Sequence, residues 1–191
     1  MQTRLNKLNL AIFLFLIFIG TSCKEKYINQ INLLENKVDS LQNIIYCLEE
    51  ENYFLYKTMD SLPSGSPLDT LVMSSKFGWR KKPLGGGWQK HTGVDFLASW
   101  KDTVYATGDG RVIKSGWGMG YGRQIKISHC GNYESTYAHL YRLFVKKGDS
   151  VELGQAIGRA GNSGMVTGPH LHYEVRRDGK TADPSLFVLD N

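Results

Sequence analysis

The chain changes its hydrophobic rhythm twice. Leu10 to Ile19 is an unbroken apolar run. Between residues 27 and 62 the apolar positions recur at alternating spacings of three and four: Ile31, Leu34, Val38, Leu41, Ile45, Leu48, Leu55, Met59 and Leu62, with Asn52 the one polar residue on the seam. That heptad spacing predicts a single long helix. From Leu71 onward the period falls to two, in short runs separated by glycine, which predicts strands and turns. The clearest runs are residues 124–128 and 170–176, with 104–106, 111–114 and 133–137 as shorter candidates. The expected architecture is a mostly β domain of antiparallel strands preceded by a long coiled-coil helix.

With Ile31 as position a, Leu falls repeatedly at d and Asn52 at a, the combination that favours a parallel two-stranded coil of fixed register. A homodimer through residues 24–62 is therefore expected. The competing expectation is an envelope partner, or the chain's own domain, covering a broad apolar face. Leu33, Ile44, Tyr46, Tyr53, Phe54 and Tyr56 lie off the seam, and Lys37 with Gln42 and Ile44 with Glu49 supply no ionic code. Pro63-Ser64-Gly65-Ser66-Pro67 ends the helix, so residues 63–75 read as a linker and 76–191 as the domain.

Arg4 and Lys7 precede the apolar run, whose ten residues span only ~15 Å as a helix against a ~30 Å hydrocarbon core. Residues 1–22 therefore read as an export signal. Gly20, Thr21 and Ser22 lead into Cys23. This resembles the lipobox of bacterial lipoproteins, which implies an acylated Cys23, a membrane anchor and an exported chain in the bacterial cell envelope. The departure is Gly20, where that family usually has Leu. A net charge of +5 in 191 residues suits an anionic envelope polymer or membrane surface. Nucleic acid is not an expected partner, because no basic run with interleaved aromatics occurs. Cys47 and Cys130 match no zinc module and no disulfide framework, and Cys130 is expected as a small buried thiol beside a structural His129.

Four of the five histidines fall in three compact motifs: His91-Thr92-Gly93-Val94-Asp95, Tyr137-Ala138-His139-Leu140 and His170-Leu171-His172. On a strand, residues 170 and 172 project from one face, ~7 Å apart, while Leu171, Tyr173 and Val175 face the other way. One imidazole can then bind a metal while its neighbour faces the open position. Along a straight strand His91 and Asp95 would lie ~13 Å apart, too far for one ion with ~2 Å bonds. Gly93 between them allows the chain to bend. Two imidazoles and one carboxylate are the donor set of catalytic zinc, which keeps a position open and acidifies water or polarises a carbonyl.

Residues 76–187 resemble the lysostaphin-type zinc endopeptidases, the M23 family, which cleaves peptide bonds in peptidoglycan. The resemblance rests on the three histidine motifs together with Phe77-Gly78-Trp79-Arg80, Gly108-Asp109-Gly110-Arg111-Val112, Gly120-Tyr121-Gly122, Gly154-Gln155-Ala156-Ile157-Gly158, Thr167-Gly168-Pro169, Tyr173-Glu174 and Asp183-Pro184, in the family's order. It implies His91, Asp95 and His172 as Zn2+ ligands, with His139 and His170 acting on water or the oxyanion. It also implies peptidoglycan as substrate. Cys130 stands where relatives commonly have Gly. The alternative is a non-catalytic activator of a murein amidase, built from a coiled coil and a degenerate peptidase-like domain. Such activators have usually lost the ligand set, and this chain has all of it. A non-haem iron oxygenase also uses two His and a carboxylate, but typically with His-x-Asp spacing.

The heptad reading makes a direct prediction. Residues 27–62 alone should sediment as a dimer, and Asn52→Ile should raise stability while loosening register or stoichiometry. A monomer at high micromolar concentration would instead favour a partner or the domain as the cover of the seam.

Overall fold

The computed structural model describes residues 21–82 and 86–188. The basic and apolar parts of the segment read as an export signal lie outside the described residues. Two units are recognised, up to Phe54 and from Leu55, and each is described by itself.

The first unit is the body of helix α1 (Thr21–Asp60), 40 residues without Gly or Pro and therefore ~60 Å long. It begins earlier than the heptad pattern and ends two residues sooner. Its seam residues Leu34, Val38, Leu41, Ile45 and Leu48 are exposed, and so are Leu33, Ile44 and Tyr46 off the seam. Among the described residues no helix is long and apolar enough to cross a membrane. The last turn of α1 belongs to the second unit. Pro63 disfavours helical geometry at Leu62, and the Asp109 amide donates to the Asp60 carbonyl at 2.7 Å, satisfying one of the orphan acceptors of the helix end.

The second unit is built from β1 (Met73–Ser75), β2 (Gly78–Lys81), β3 (Trp88–His91), β4 (Val94–Leu97), β5 (Thr103–Tyr105), β6 (Gly110–Gly118), β7 (Gly122–Ser128), β8 (Tyr133–Leu143), β9 (Ser150–Val151), β10 (Ala156–Ala160), β11 (His170–Arg177) and β12 (Lys180–Ala182). Ten strands form one sheet in the order β1-β4-β11-β8-β7-β6-β9, with β10 on β5 and β8 and β12 on β11; β2 and β3 form a separate hairpin. All these pairings are antiparallel. The architecture is thus the expected mostly β, antiparallel one with one N-terminal helix.

Alternation sorts the strands into a core face and a site face. Val94 and Phe96 of β4, Leu171, Tyr173 and Val175 of β11, Tyr137 of β8 and Ile125 and Ile127 of β7 belong to one buried cluster. Burial of each such side chain is worth roughly 1.5–3 kcal/mol. The two core tyrosines keep their hydroxyls satisfied: both meet the Thr107 hydroxyl at 2.8 Å, and Tyr137 also accepts from the Thr107 amide. The stretch read as a linker contributes Leu68 to the core and β1 to the sheet.

Cys130 corrects an expectation. It is exposed, because it lies in the 3-10 turn Cys130–Asn132 beyond the end of β7 rather than on a strand. His129 is buried and bonded at both ring nitrogens, 2.8 Å from the Asp109 carbonyl and 2.8 Å from the Ser135 hydroxyl. This is a structural use.

The corner between β3 and β4 is Thr92-Gly93. A methyl group on Gly93 would meet the Tyr173 carbonyl oxygen at 2.2 Å, so glycine is required here for close approach of two backbones. Gly93→Ala should lower stability by about 1–3 kcal/mol through overpacking, read as a lower denaturant midpoint at unchanged slope. An unchanged midpoint would refute the close approach.

Candidate metal centre

Register builds the centre. In the β4–β11 ladder Asp95 stands directly opposite His172, and in the β8–β11 ladder Ala138 stands on His172's other side. The β2–β3 hairpin delivers His91 from a second sheet, so the Thr92-Gly93 corner turns the four-residue separation into a contact. His91 Nε2 is 3.1 Å from Asp95 Oδ1, His172 Nδ1 is 2.8 Å from the same oxygen, and the two nitrogens are 3.0 Å apart. All three residues are buried.

A tetrahedral zinc site with bonds of ~2.0–2.1 Å has ligand atoms about 3.3 Å apart. The three donors fall only a few tenths of an ångström short of that triangle, and two imidazoles with one carboxylate match the donor chemistry. They are the only group of three or more His, Cys, Asp or Glu side chains among the described residues whose donor atoms converge this way. The residues therefore fit the ion.

Each ring is oriented by its far nitrogen. His91 Nδ1–H donates to the Lys76 carbonyl at 2.8 Å, leaving Nε2 bare toward Asp95. His172 is reversed: Nε2–H lies 3.2 Å from Glu174 Oε1, and Nδ1 faces the centre. The outer oxygen of Asp95 pairs with Arg80 Nη2 at 3.2 Å. Burial opposes ionisation of Asp95, yet the His172 and His91 rings, which hydrogen-bond to it and attract it when protonated on the nitrogens that face it, outweigh burial and hold the carboxyl far below the usual range; a bound ion would take the place of those protons. Burial likewise opposes charge on His172, but its bonds to Asp95 and Glu174 raise its affinity for a proton. Burial also disfavours the Glu174 anion, and here too donors prevail, holding its pKa at about 2.

His139 and His170 stand beside the three. Ile125 pairs with Tyr137 while Arg123 pairs with Leu140, so β8 carries one extra residue against β7. This is a bulge, and His139 sits in it with φ 62°. Without the bulge residue 139 would share the core-facing side of Tyr137; with it the imidazole reaches the cleft. The cost of a left-handed non-glycine residue, about 1–3 kcal/mol, is borne at a chemically loaded position. His139 Nδ1–H donates to the Ser163 carbonyl at 2.8 Å and His170 Nδ1–H to the Gly168 carbonyl at 2.9 Å, so that Nε2 is the uncommitted nitrogen of each ring. The two rings lie 4.8 Å apart, and His170 Nε2 is 3.7 Å from Asp95 Oδ1. Burial, against a partly offsetting Ser163 carbonyl, pushes the pKa of His139 down to about 4, so its ring is neutral near pH 7.

The five residues singled out from sequence thus all line one cleft of about 640 Å³. Sequence reasoning gave no role to Arg80, Thr92, Tyr121 or Glu174. The signal for Glu174 was present: the alternation that puts residues 170 and 172 on one face puts 174 there as well. For the other three the chain offered no such signal, since their contacts cross between segments.

Residues 89–184, about half of the chain, match the profile of peptidase family M23. The chain is 42% identical over 125 residues to the peptidoglycan DD-endopeptidase ShyC of Vibrio cholerae, a match covering 65% of this chain and 29% of that protein. A solved zinc containing peptidase from Vibrio cholerae superposes with a TM-score of 0.58 at 39% identity, over 61% of this chain and 37% of that one. The catalytic domain of lysostaphin from Staphylococcus simulans superposes with a TM-score of 0.56 at 32% identity, over 61% of this chain and 91% of that domain. The match to ShyC therefore spans less than a third of that relative's length.

Proposed function

The chain belongs to peptidase family M23, and from that premise we propose that it is a zinc-dependent endopeptidase hydrolysing peptide stems or cross-links of bacterial peptidoglycan. One observation carries the reading: His91 Nε2, Asp95 Oδ1 and His172 Nδ1 converge in a cleft that His139 and His170 also line, each with Nδ1 committed to a backbone carbonyl. The name of ShyC, a peptidoglycan DD-endopeptidase, supports the substrate class, and the zinc containing peptidase supports the metal.

His91, Asp95 and His172 would hold the ion, which supplies Lewis acidity toward water and the scissile carbonyl. The remaining work falls to the chain's own side chains. The neutral ring of His139, its Nδ1–H already committed to Ser163, takes a proton at Nε2 or gives it to the leaving amine. His170, similarly committed to Gly168, either accepts that proton at Nε2 or, once protonated there, donates to the developing oxyanion. Arg80 neutralises the outer oxygen of Asp95, so that carboxylate is not left uncompensated as the site dries. The amidase-activator reading is disfavoured by the complete donor set.

The envelope assignment extends this reading. Export by residues 1–22, a lipid at Cys23 and a self-pairing or partner-binding α1 would hold the enzyme at a membrane facing its polymer. Cys23→Ser should lose the lipid mass and alter maturation; the same lipid mass on that variant would refute the anchor.

The catalytic reading predicts a separation of metal from turnover. Purified protein should carry about one zinc, and Asp95→Ala or His172→Ala should greatly weaken its retention. His139→Ala and His170→Ala should keep zinc and fold while peptidoglycan hydrolysis drops roughly 10²–10⁴-fold. Zinc content, melting temperature and released fragments are measured on the same preparations. Near-normal turnover in both of the latter variants would falsify the proposed roles.

A further inference from the structure

The four cleft histidines are not oriented alike. His91, His139 and His170 each commit Nδ1–H to a backbone carbonyl and present Nε2. His172 alone presents Nδ1, at 2.8 Å from Asp95 and 3.0 Å from His91. An imidazole can bind a metal through Nδ1 only if its proton sits on Nε2, and that proton needs an acceptor which does not come and go with solvent. The acceptor is Glu174, with no exposed surface, two residues along β11 and on the same face.

Glu174 is itself held from several directions. Its Oε1 accepts from His172 Nε2 at 3.2 Å, from the Tyr121 hydroxyl at 2.7 Å and from the Thr92 hydroxyl. Its Oε2 accepts from Arg176 Nη2 at 3.2 Å and Nε at 3.4 Å. These donors sit on different segments. Thr92 follows His91 at the β3–β4 corner. Tyr121 lies in the β6–β7 turn, and its carbonyl receives the His139 amide at 2.9 Å. Arg176 is the next residue on the same face of β11. One buried carboxylate therefore ties the His91 corner, the segment beside His139 and the His172 ring into a single arrangement.

We propose that Glu174 is a positioning residue that presets His172 as an Nδ1 metal ligand, with Thr92, Tyr121 and Arg176 as its anchors. This rests on the reading of His91, Asp95 and His172 as the zinc ligands. A carboxylate behind the ring does more than a carbonyl would. It fixes the tautomer and adds negative charge through the ring, which raises the basicity of the ligating nitrogen.

Two readouts on the full chain test it without relying on activity. One is zinc affinity, by competition with a chromophoric chelator. The other is the ring nitrogen of His172 that binds the metal in cadmium-loaded protein, from cadmium–nitrogen couplings. Wild type should bind through Nδ1. Glu174→Leu, which removes the acceptor, should lose that bias and bind zinc about 10–100-fold more weakly. Glu174→Gln keeps an acceptor oxygen but no charge, and should fall between the two. Wild-type affinity and Nδ1 ligation in folded Glu174→Leu would overturn the proposal. If that variant does not fold, the same result in Glu174→Gln would do so. If neither folds, Thr92→Val and Tyr121→Phe loosen the carboxylate from outside and must each weaken zinc binding severalfold; parity with wild type would overturn it. The ligand reading fails separately, if wild type does not bind zinc or His172→Ala binds it equally well.

Discussion

Everything at the centre depends on the register of β11 between its two neighbours. Asp95 opposite His172 and Ala138 opposite His172 are consequences of the two pairings of this one strand. A slip of one residue would exchange the two faces of the strand, carrying Leu171, Tyr173 and Val175 to the cleft and the histidines into the core. These three apolar residues are fully buried, so the slip would forfeit several kcal/mol of burial. The hydrophobic face thus enforces the geometry of the polar face. Stability and chemistry share one strand and cannot be varied independently there.

Two irregularities complete what regular pairing cannot. An ideal ladder would send residue 139 to the core with Tyr137; the bulge in β8 turns it outward. His91 comes from the separate β2–β3 hairpin, brought over the sheet by the Thr92-Gly93 corner, where any side chain at 93 would strike the β11 backbone. Regular sheet supplies rigidity, and the departures from regularity aim the side chains that the sheet alone would misdirect.

Charge follows the same economy. Asp95 and Glu174 are buried carboxylates, and a buried charge stripped of its partner is destabilising by about 3–5 kcal/mol. Neither is stripped. Asp95 meets His91, His172 and Arg80, and Glu174 meets His172, Tyr121, Thr92 and Arg176. His172 lies between the two, with Nδ1 facing Asp95 and Nε2 facing Glu174. That arrangement favours a ring whose two nitrogens have different duties, and it leaves the neutral His139 with an uncommitted nitrogen beside a strongly polarised cluster.

Much of this was legible in the chain itself. Helical and strand periods are local properties, so the long helix, the antiparallel β domain and the shared face of residues 170 and 172 follow from spacing alone. The scarcity of histidines outside three motifs marked the residues that line the cleft. Convergence was not legible, because it is set by pairing between distant segments: Asp95 and His172 are 77 residues apart in the chain and 2.8 Å apart in space. The bulge that turns His139, the reversed ring of His172, the Arg80 and Glu174 contacts and the exposed Cys130 were likewise decided by tertiary structure. Each depends on which backbone lies alongside, and residue type and local period carry no record of that neighbour.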